Sequence, residues 1–402
     1  MRVLVASEAH FEASTEGYVY ARGPEDYAFW SSYREAFDEV GVLARVSWCQ
    51  GRPPGATRAD GKGVCFHPLD DYRGPWEYLL RLPRLRRQVG QAVAGYQTFI
   101  LRAPGAVAYL LWRQVSARRK PYAVEVLGDP WESLAPGRVA SFWRGVARVW
   151  SRRSLRRLCR QAPIARYVTH SWLQQQYPPA TSAVFSCSDV RACQRVGAEE
   201  LELRMERIRE AAAGRRPWEV GFIGSLERLY KAPDVLLRAV RICLDRGLRL
   251  RLSILGNGRY RSALELLAAQ LGLSAGTVRF LGVLPAGRAV EAFLDRIDLF
   301  VLPSYTEGLP RALVEAMARG CPAIASRVGG IPELLAPEDL VNPGSPDRLA
   351  GKMIEALGDP ARLADMARRN HSISALFSRE SLEPVRRAYL NQLRELAAGC
   401  TT

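Results

Sequence analysis

Two glutamates, Glu307 and Glu315, stand with seven residues between them in Ser304-Tyr305-Thr306-Glu307-Gly308-Leu309-Pro310-Arg311-Ala312-Leu313-Val314-Glu315-Ala316-Met317. The apolar run Leu299–Leu302 just before them has strand character, Pro310 suits the first position of a helix, and Gly320 suits the position past its end. Glu307 is therefore expected on a loop and Glu315 inside the helix. The first-turn amides of such a helix lack internal partners and carry the positive end of its dipole, so the loop can receive a phosphate. Carboxylates beside it can hold sugar hydroxyls. The chemistry this spacing suits is the binding of a sugar nucleotide.

A second element supplies a cation. Gly224-Ser225-Leu226-Glu227-Arg228-Leu229-Tyr230-Lys231 leaves a strand at Ile223 and enters a helix, and the chain has only 4 lysines against 53 arginines. Lys231 is placed to neutralise charge building up on a leaving diphosphate, the work a magnesium ion does in other transferases. A surface lysine is the plain alternative. Arg228 is a weaker second candidate. Gly256-Asn257-Gly258 and Gly282-Val283 also follow strands, where glycine lets a base or ribose approach the backbone, though a plain turn explains them too. The third glycine of a dinucleotide fingerprint is missing after Gly258, which argues against a dehydrogenase. In the first half Asp129 lies just beyond a strand, where it could meet an acceptor or the reacting sugar; capping a helix explains it equally well. His10 and His170 also follow strands, with a structural role the commoner reading. Glu333, in the loop Gly329-Gly330-Ile331-Pro332-Glu333, is read as structural.

The elements that must position these residues alternate between short apolar strands and helices, the pattern of parallel α/β domains. In the first half strands are expected at Arg2–Ala6, Val42–Val46, Thr98–Leu101, Tyr122–Val126 and Ile164–Val168, with a helix over Tyr27–Asp38. Residues 199–216 read as a helix followed by a linker. A second series then runs from a strand at Glu219–Ile223 through a helix at Ala286–Arg296 to a strand at Ala323–Ala325. The division expected is an acceptor-binding domain over 1–205, a nucleotide-sugar domain over 217–378, and a terminal helix over 379–402 that packs back on the first domain. Two such sheets would face each other across a cleft.

Composition limits the function classes. No apolar run approaches the roughly 18 residues of a membrane span, and the N-terminus turns acidic at Glu8, so a cytoplasmic protein is expected. Eight scattered cysteines without a C-x-x-C pair suggest neither a zinc site nor a disulfide framework. The net charge of +16 is concentrated in residues 73–188, which hold 19 basic against 4 acidic side chains, and no acid occurs from Ser133 to Ser188. There Phe142-Trp143, Val146, Val149-Trp150, Leu155 and Leu158 alternate with Arg144, Arg148, Arg152, Arg153, Arg156, Arg157 and Arg160, as in a basic amphipathic helix. Three readings stay open for residues 138–166: a solvated face over core, a surface for anionic membrane on the inner face of the plasma membrane, or a nucleic-acid face. No nucleic-acid-binding motif supports the last.

The block Pro303–Ser326, with Gly224–Asp234 upstream, resembles the retaining glycosyltransferases of family 4, which have the GT-B fold of two Rossmann-like domains. The E-x7-E block and its trailing Glu315-Ala316-Met317-Ala318-Arg319-Gly320-Cys321-Pro322 carry most of the similarity, which spans about residues 219–345. The resemblance implies that Glu307 meets the donor sugar hydroxyls, Glu315 the ribose and Lys231 the diphosphate. It also implies that the backbone at Gly308 and Leu309 contacts sugar and phosphate, and that Leu313 belongs to the same site. Transfer would proceed on one face of the sugar, with the leaving phosphate assisting removal of the acceptor proton, and would need no metal or other cofactor. Partners would then be a nucleotide diphosphate sugar and a lipid-linked or saccharide acceptor, in exopolysaccharide or glycolipid assembly; a small soluble acceptor is the alternative. Two departures stand out. Ser225 replaces the arginine common after the first glycine, and the usual glycine pair in the first loop of the N-terminal domain is absent, with only Gly17 near Glu16–Tyr20.

Overall fold

The computed structural model describes residues 1–399 except 73, 134–143, 191–193 and 286. It divides into two compact units, one formed by most of residues 1–187 together with the C-terminal helix from Glu383, the other by Ser188–Leu382.

In the first unit the elements run β1 (Arg2–Ser14), β2 (Val19–Ala21), α1 (Tyr27–Ser31), β3 (Glu39–Cys49), β4 (Thr57–Arg58), β5 (Val64–Asp70), α2 (Gly74–Ala94), β6 (Thr98–Ala103), α3 (Ala106–Ala117), β7 (Tyr122–Val126), α4 (Pro130–Ser133), α5 (Arg144–Gln161), β8 (Ile164–Tyr167), α6 (Trp172–Gln176) and β9 (Val184–Ser186). The strands β5-β3-β1-β6-β7-β8-β9 pair in parallel, and β2 and β4 add an antiparallel corner. Strand β1 does not stop at Ala6. Its pairing with β3 slips between Ala6 and His10 and resumes to Ser14, so β1 gains a second half that β2 flanks on the other side. Glu16–Tyr20 therefore includes the turn of a hairpin, with Gly17 at φ +85°, and not a loop feeding a helix. The helix expected over Tyr27–Asp38 is shorter, α1 giving way to a single 3₁₀ turn at Ser32–Glu35.

The second unit runs α7 (Ala198–Ala212), β10 (Trp218–Ile223), α8 (Pro233–Asp245), β11 (Leu250–Leu255), α9 (Arg261–Gln270), β12 (Val278–Gly282), α10 (Arg288–Arg296), β13 (Leu299–Leu302), α11 (Arg311–Ala318), β14 (Ala323–Ser326), β15 (Leu340–Val341), α12 (Pro346–Leu357) and α13 (Pro360–Ser374). All neighbouring strands are parallel in the order β12-β11-β10-β13-β14-β15. This is the doubly wound arrangement, and its strand order reverses between β10 and β13. Ligands of such sheets bind beyond the carboxyl ends of the strands at that reversal.

The break between units falls at Ser188, earlier than the 205 expected from the charged stretch. Helix α7 goes with the second unit because Arg204, buried on its inner face, donates from Nε to Arg319 O (3.1 Å) and from Nη2 to Leu294 O (2.9 Å). The last helix, α14 (Arg379–Gly399), places Tyr389, Leu390 and Leu393 among Val3, Val5, Trp30 and Val42 in the core of the first unit. Ala286, the expected start of α10, lies outside the described residues, as do residues 138–143 of the basic segment.

Candidate active site

Strand β10 ends at Ile223, and the chain turns through Gly224 before reaching α8. Its Gly221 leaves room for Ile297, whose side chain a Cβ would meet at 2.6 Å. The turn closes with Ala232 at φ +51°, and Pro233 opens the helix. This places Lys231 against the loop that follows β13. Its Nζ lies 2.7 Å from Glu307 Oε1, and Ser304 Oγ donates to the same oxygen at 2.7 Å. The two loops are joined again where Tyr305 N donates to Tyr230 O at 2.7 Å.

Both members of this pair are nearly enclosed, Lys231 being 12% and Glu307 9% exposed at the side chain. Burial alone would favour neutral lysine. The charges of Glu307 and Tyr230 outweigh it and hold the ammonium above the ordinary lysine range. Lys231 is thus a fixed cation at the carboxyl edge of the sheet, beside the N-terminus of α11.

Glycines make the close approaches. Gly256 has φ +154°, and a Cβ there would lie 1.9 Å from Gly224 O. Gly329, at φ +55°, would place its Cβ 1.9 Å from Glu307 O, while Gly330 N donates to Gly308 O at 2.8 Å. The loop after β14 therefore backs the one that carries Glu307. Leu226 N bonds Asn257 O at 3.0 Å and Gly256 N bonds Gly282 O at 2.7 Å, which gathers the loops after β10, β11 and β12. Val283 stands exposed next to them.

Helix α11 starts at Arg311, with Pro310 as its cap and Gly320 at φ +65° past its end. Leu313 is buried and anchors the helix. Glu315 lies one turn further in and takes no hydrogen bond from its side chain among the described residues. Burial raises its carboxyl above the usual range, with Arg311 opposing the shift. Arg311 was not singled out in the sequence. It is half-buried, forms no ion pair among the described residues, and its charge bears on both Lys231 and Glu315. Its place four residues after Glu307 and four before Glu315 was the available signal.

The second unit thus gathers Lys231, Glu307, Glu315, Gly224, Gly256, Asn257, Gly282, Val283, Gly308 and Leu309 around the reversal of strand order. Ser225 and Arg228 lie on the exposed side of the first loop. Asp129 belongs to the first unit and is buried; its Oδ1 accepts from Trp131 N at 2.8 Å and from the Tyr177 hydroxyl. The first of these bonds caps the short helix α4. His10 Nδ1 sits 3.1 Å from Asp71 Oδ1, exposed to solvent.

In the first unit the strand order reverses between β1 and β6. There Glu8 Oε1 accepts from Val107 N at 2.9 Å at the start of α3, and Oε2 lies 3.3 Å from Arg45 Nη2. Burial raises the Glu8 carboxyl, Arg45 and the helix amides opposing it. Sequence reading missed Glu8 because it expected the ligand loop of this sheet ten residues later.

Residues 205–372 match the model of the glycosyl transferases group 1. Among curated proteins, CapJ of Staphylococcus aureus is 24% identical over 320 residues, 79% of this chain and 77% of that protein. D-inositol 3-phosphate glycosyltransferase of Corynebacterium jeikeium is 39% identical over 120 residues, 28% of each chain. A GDP-mannose-dependent phosphatidylinositol monomannoside mannosyltransferase of Corynebacterium glutamicum is 37% identical over 34% of this chain and 37% of its own. The chain therefore spans most of CapJ but only about a third of the length of the last two. Two solved structures share the fold over nearly the whole chain: Anabaena HepE in complex with UDP and glucose, with a TM-score of 0.67 at 16% identity over 98% of this chain and 99% of that one, and sucrose-phosphate synthase of Thermosynechococcus elongatus, with 0.69 at 17% over 100% and 99%. The fold is that of the GT-B structures. The match to the glycosyl transferases group 1 lies within the second unit.

Proposed function

We propose that this chain is a retaining, metal-independent hexosyltransferase that moves a sugar from a nucleotide diphosphate donor to a hydroxyl acceptor in polysaccharide or glycolipid assembly at the cytoplasmic face of a membrane. The Lys231–Glu307 pair at the strand reversal carries the reading. A donor that lays its diphosphate against Lys231 and its sugar against Glu307 takes up both halves of an ion pair the free protein makes with itself. Arg311 adds a second cation beside the N-terminus of α11 and stands in for the arginine that Ser225 replaces. Glu315, largely buried and taking no hydrogen bond among the described residues, suits the ribose hydroxyls. Charge that develops on the leaving diphosphate is then met by fixed groups, which need little reorganisation during transfer.

The likeness to a protein named as a phosphatidylinositol monomannoside mannosyltransferase supports a lipid-borne or saccharide acceptor. Glu8 and the start of α3, at the strand reversal of the first unit, are where that acceptor would bind. The basic helix α5 supports the membrane part.

A thermal-shift panel of UDP, GDP and ADP sugars, each with and without EDTA, tests the donor reading. The matching donor at about a hundred times its Kd stabilises the fold by about 2.7 kcal/mol. No shift with any of them would refute it, and a shift abolished by EDTA would refute metal independence.

A further inference from the structure

Helices α2, α3 and α5 of the first unit carry twelve arginines and one glutamate between them, yet the charge is not what is unusual about this face. Of the large apolar residues exposed among the described residues, six of fourteen lie on α2 and α5: Trp76, Leu79, Leu80, Val146, Val149 and Trp150. Leu80 is 81% exposed, Val146 63% and Trp76 62%. A monomeric soluble surface seldom gathers such residues, and clusters ringed by polar groups mark binding surfaces.

The patch has relief. Trp76, Leu79, Leu82, Leu110 and Val146 line an apolar groove of about 460 Å³. Beside it Arg113, Val149, Arg153, Ser154 and Arg157 line a basic one of about 890 Å³. Tyr109 and Trp150, packed edge to face at 5.3 Å, form part of the wall between them. An oily slot thus adjoins an arginine-lined slot. Not every arginine of α5 serves the second: Arg148 and Arg152 stack over Trp131 at 3.7 and 4.7 Å, and Arg156 donates to Gln176 O at 3.2 Å. Arg153 and Arg157 line the slot itself.

We propose that this face docks on an anionic phospholipid bilayer, Trp76, Leu79 and Leu80 entering the acyl region while Arg113, Arg153 and Arg157 hold headgroup phosphates. A nucleic acid would use the arginines but leaves the protruding leucines in water, whereas a bilayer offers both environments across a few ångströms, with tryptophan favoured at their boundary. The inference rests on the membrane part of the reading above and is independent of the donor assignment.

The test uses the full chain and vesicles of phosphatidylcholine with and without phosphatidylglycerol, read by sedimentation. Binding is expected to the anionic vesicles only. Leu80→Glu with Trp76→Glu should weaken it at least about tenfold, since it places charge on the inserted surface. Arg153→Glu with Arg157→Glu should weaken it comparably and flatten its salt dependence. Leu266→Glu, on an exposed apolar residue of the second unit, should leave it unchanged. Equal binding to neutral vesicles, or wild-type binding by the Leu80/Trp76 variant, would overturn the proposal. So would salt-sensitive DNA binding in the absence of any vesicle binding. The sugar-nucleotide thermal shift of each variant shows whether its fold and donor site survive, so a failure here is separable from a failure of the donor reading.

Discussion

Replacing Lys231 by Met, of similar length and without charge, probes the pair at the centre of the site. Breaking a buried ion pair by removing one partner costs about 3–5 kcal/mol, because the remaining charge is left uncompensated. Here the lower end applies. Both side chains keep a little exposure, and the Ser304 hydroxyl still donates to Glu307, so about 3 kcal/mol is expected, or a fall in Tm of about 6–12 °C for a unit of this size. Glu307→Gln costs less, about 1–2 kcal/mol, because the amide oxygen can still accept from both Lys231 and Ser304. The double variant carries neither charge and should be at least about 2 kcal/mol more stable than the sum of the single losses. Calorimetry of the four proteins gives this coupling directly. Turnover should fall at least about a hundredfold in each single variant, the scale for a lost transition-state contact, and should not recover in the double variant. Stability losses that add to within about 0.5 kcal/mol would refute the electrostatic account, and near-normal turnover in either single variant would refute the donor role.

Three further outcomes follow from the same geometry. A carboxyl raised by burial, as at Glu315, contributes stability that is present in acid and lost as pH rises through its folded value. Glu315→Gln should therefore melt about 2–4 °C above wild type at neutral pH, lose that advantage in acid, and bind donor more weakly; equal melting at neutral pH would contradict the buried charge. Arg311→Ala should raise the donor KM about tenfold with a small effect on Tm, and Arg311→Lys should restore part of it, since a point charge replaces some of the forked contact; steady-state kinetics check both. Gly329→Ala forces a Cβ toward Glu307 O and a strained positive φ costing about 1–3 kcal/mol, so turnover should fall about tenfold or more while circular dichroism stays native, and unchanged kinetics would show that the Gly329 loop does not position Glu307.

Much of the second unit was legible because its signals are local. Strands β10, β11 and β13 are short apolar runs, the caps of α11 are a proline and a glycine, and the rarity of lysine drew attention to Lys231. The first unit was harder to read. A hydrophobic run shows where β1 begins, but its continuation past Ala6 depends on β2 and β3 flanking it. Helices α2 and α3 were unassigned because α2 exposes Trp76, Leu79 and Leu80 while burying Leu85, Val89 and Val93, which blurs the amphipathic pattern, and α3 is apolar on nearly every face. Asp129 presented two readings in sequence; the Trp131 amide two residues on fits the cap, while the Tyr177 hydroxyl, 48 residues away, reaches the same oxygen only through the fold.

By itself the sequence determined the alternation of strand and helix, the E-x7-E spacing and the excess of arginine, since each depends on residues near one another along the chain. Tertiary structure decided what those residues meet. It brought Lys231 to Glu307 across 76 positions, assigned α7 to the second unit through the guanidinium of Arg204, and set Leu80 and Trp76 of α2 in one surface with Trp150 of α5. Those outcomes follow from the order in which strands pair and from which side chain reaches a buried partner, neither of which local spacing encodes.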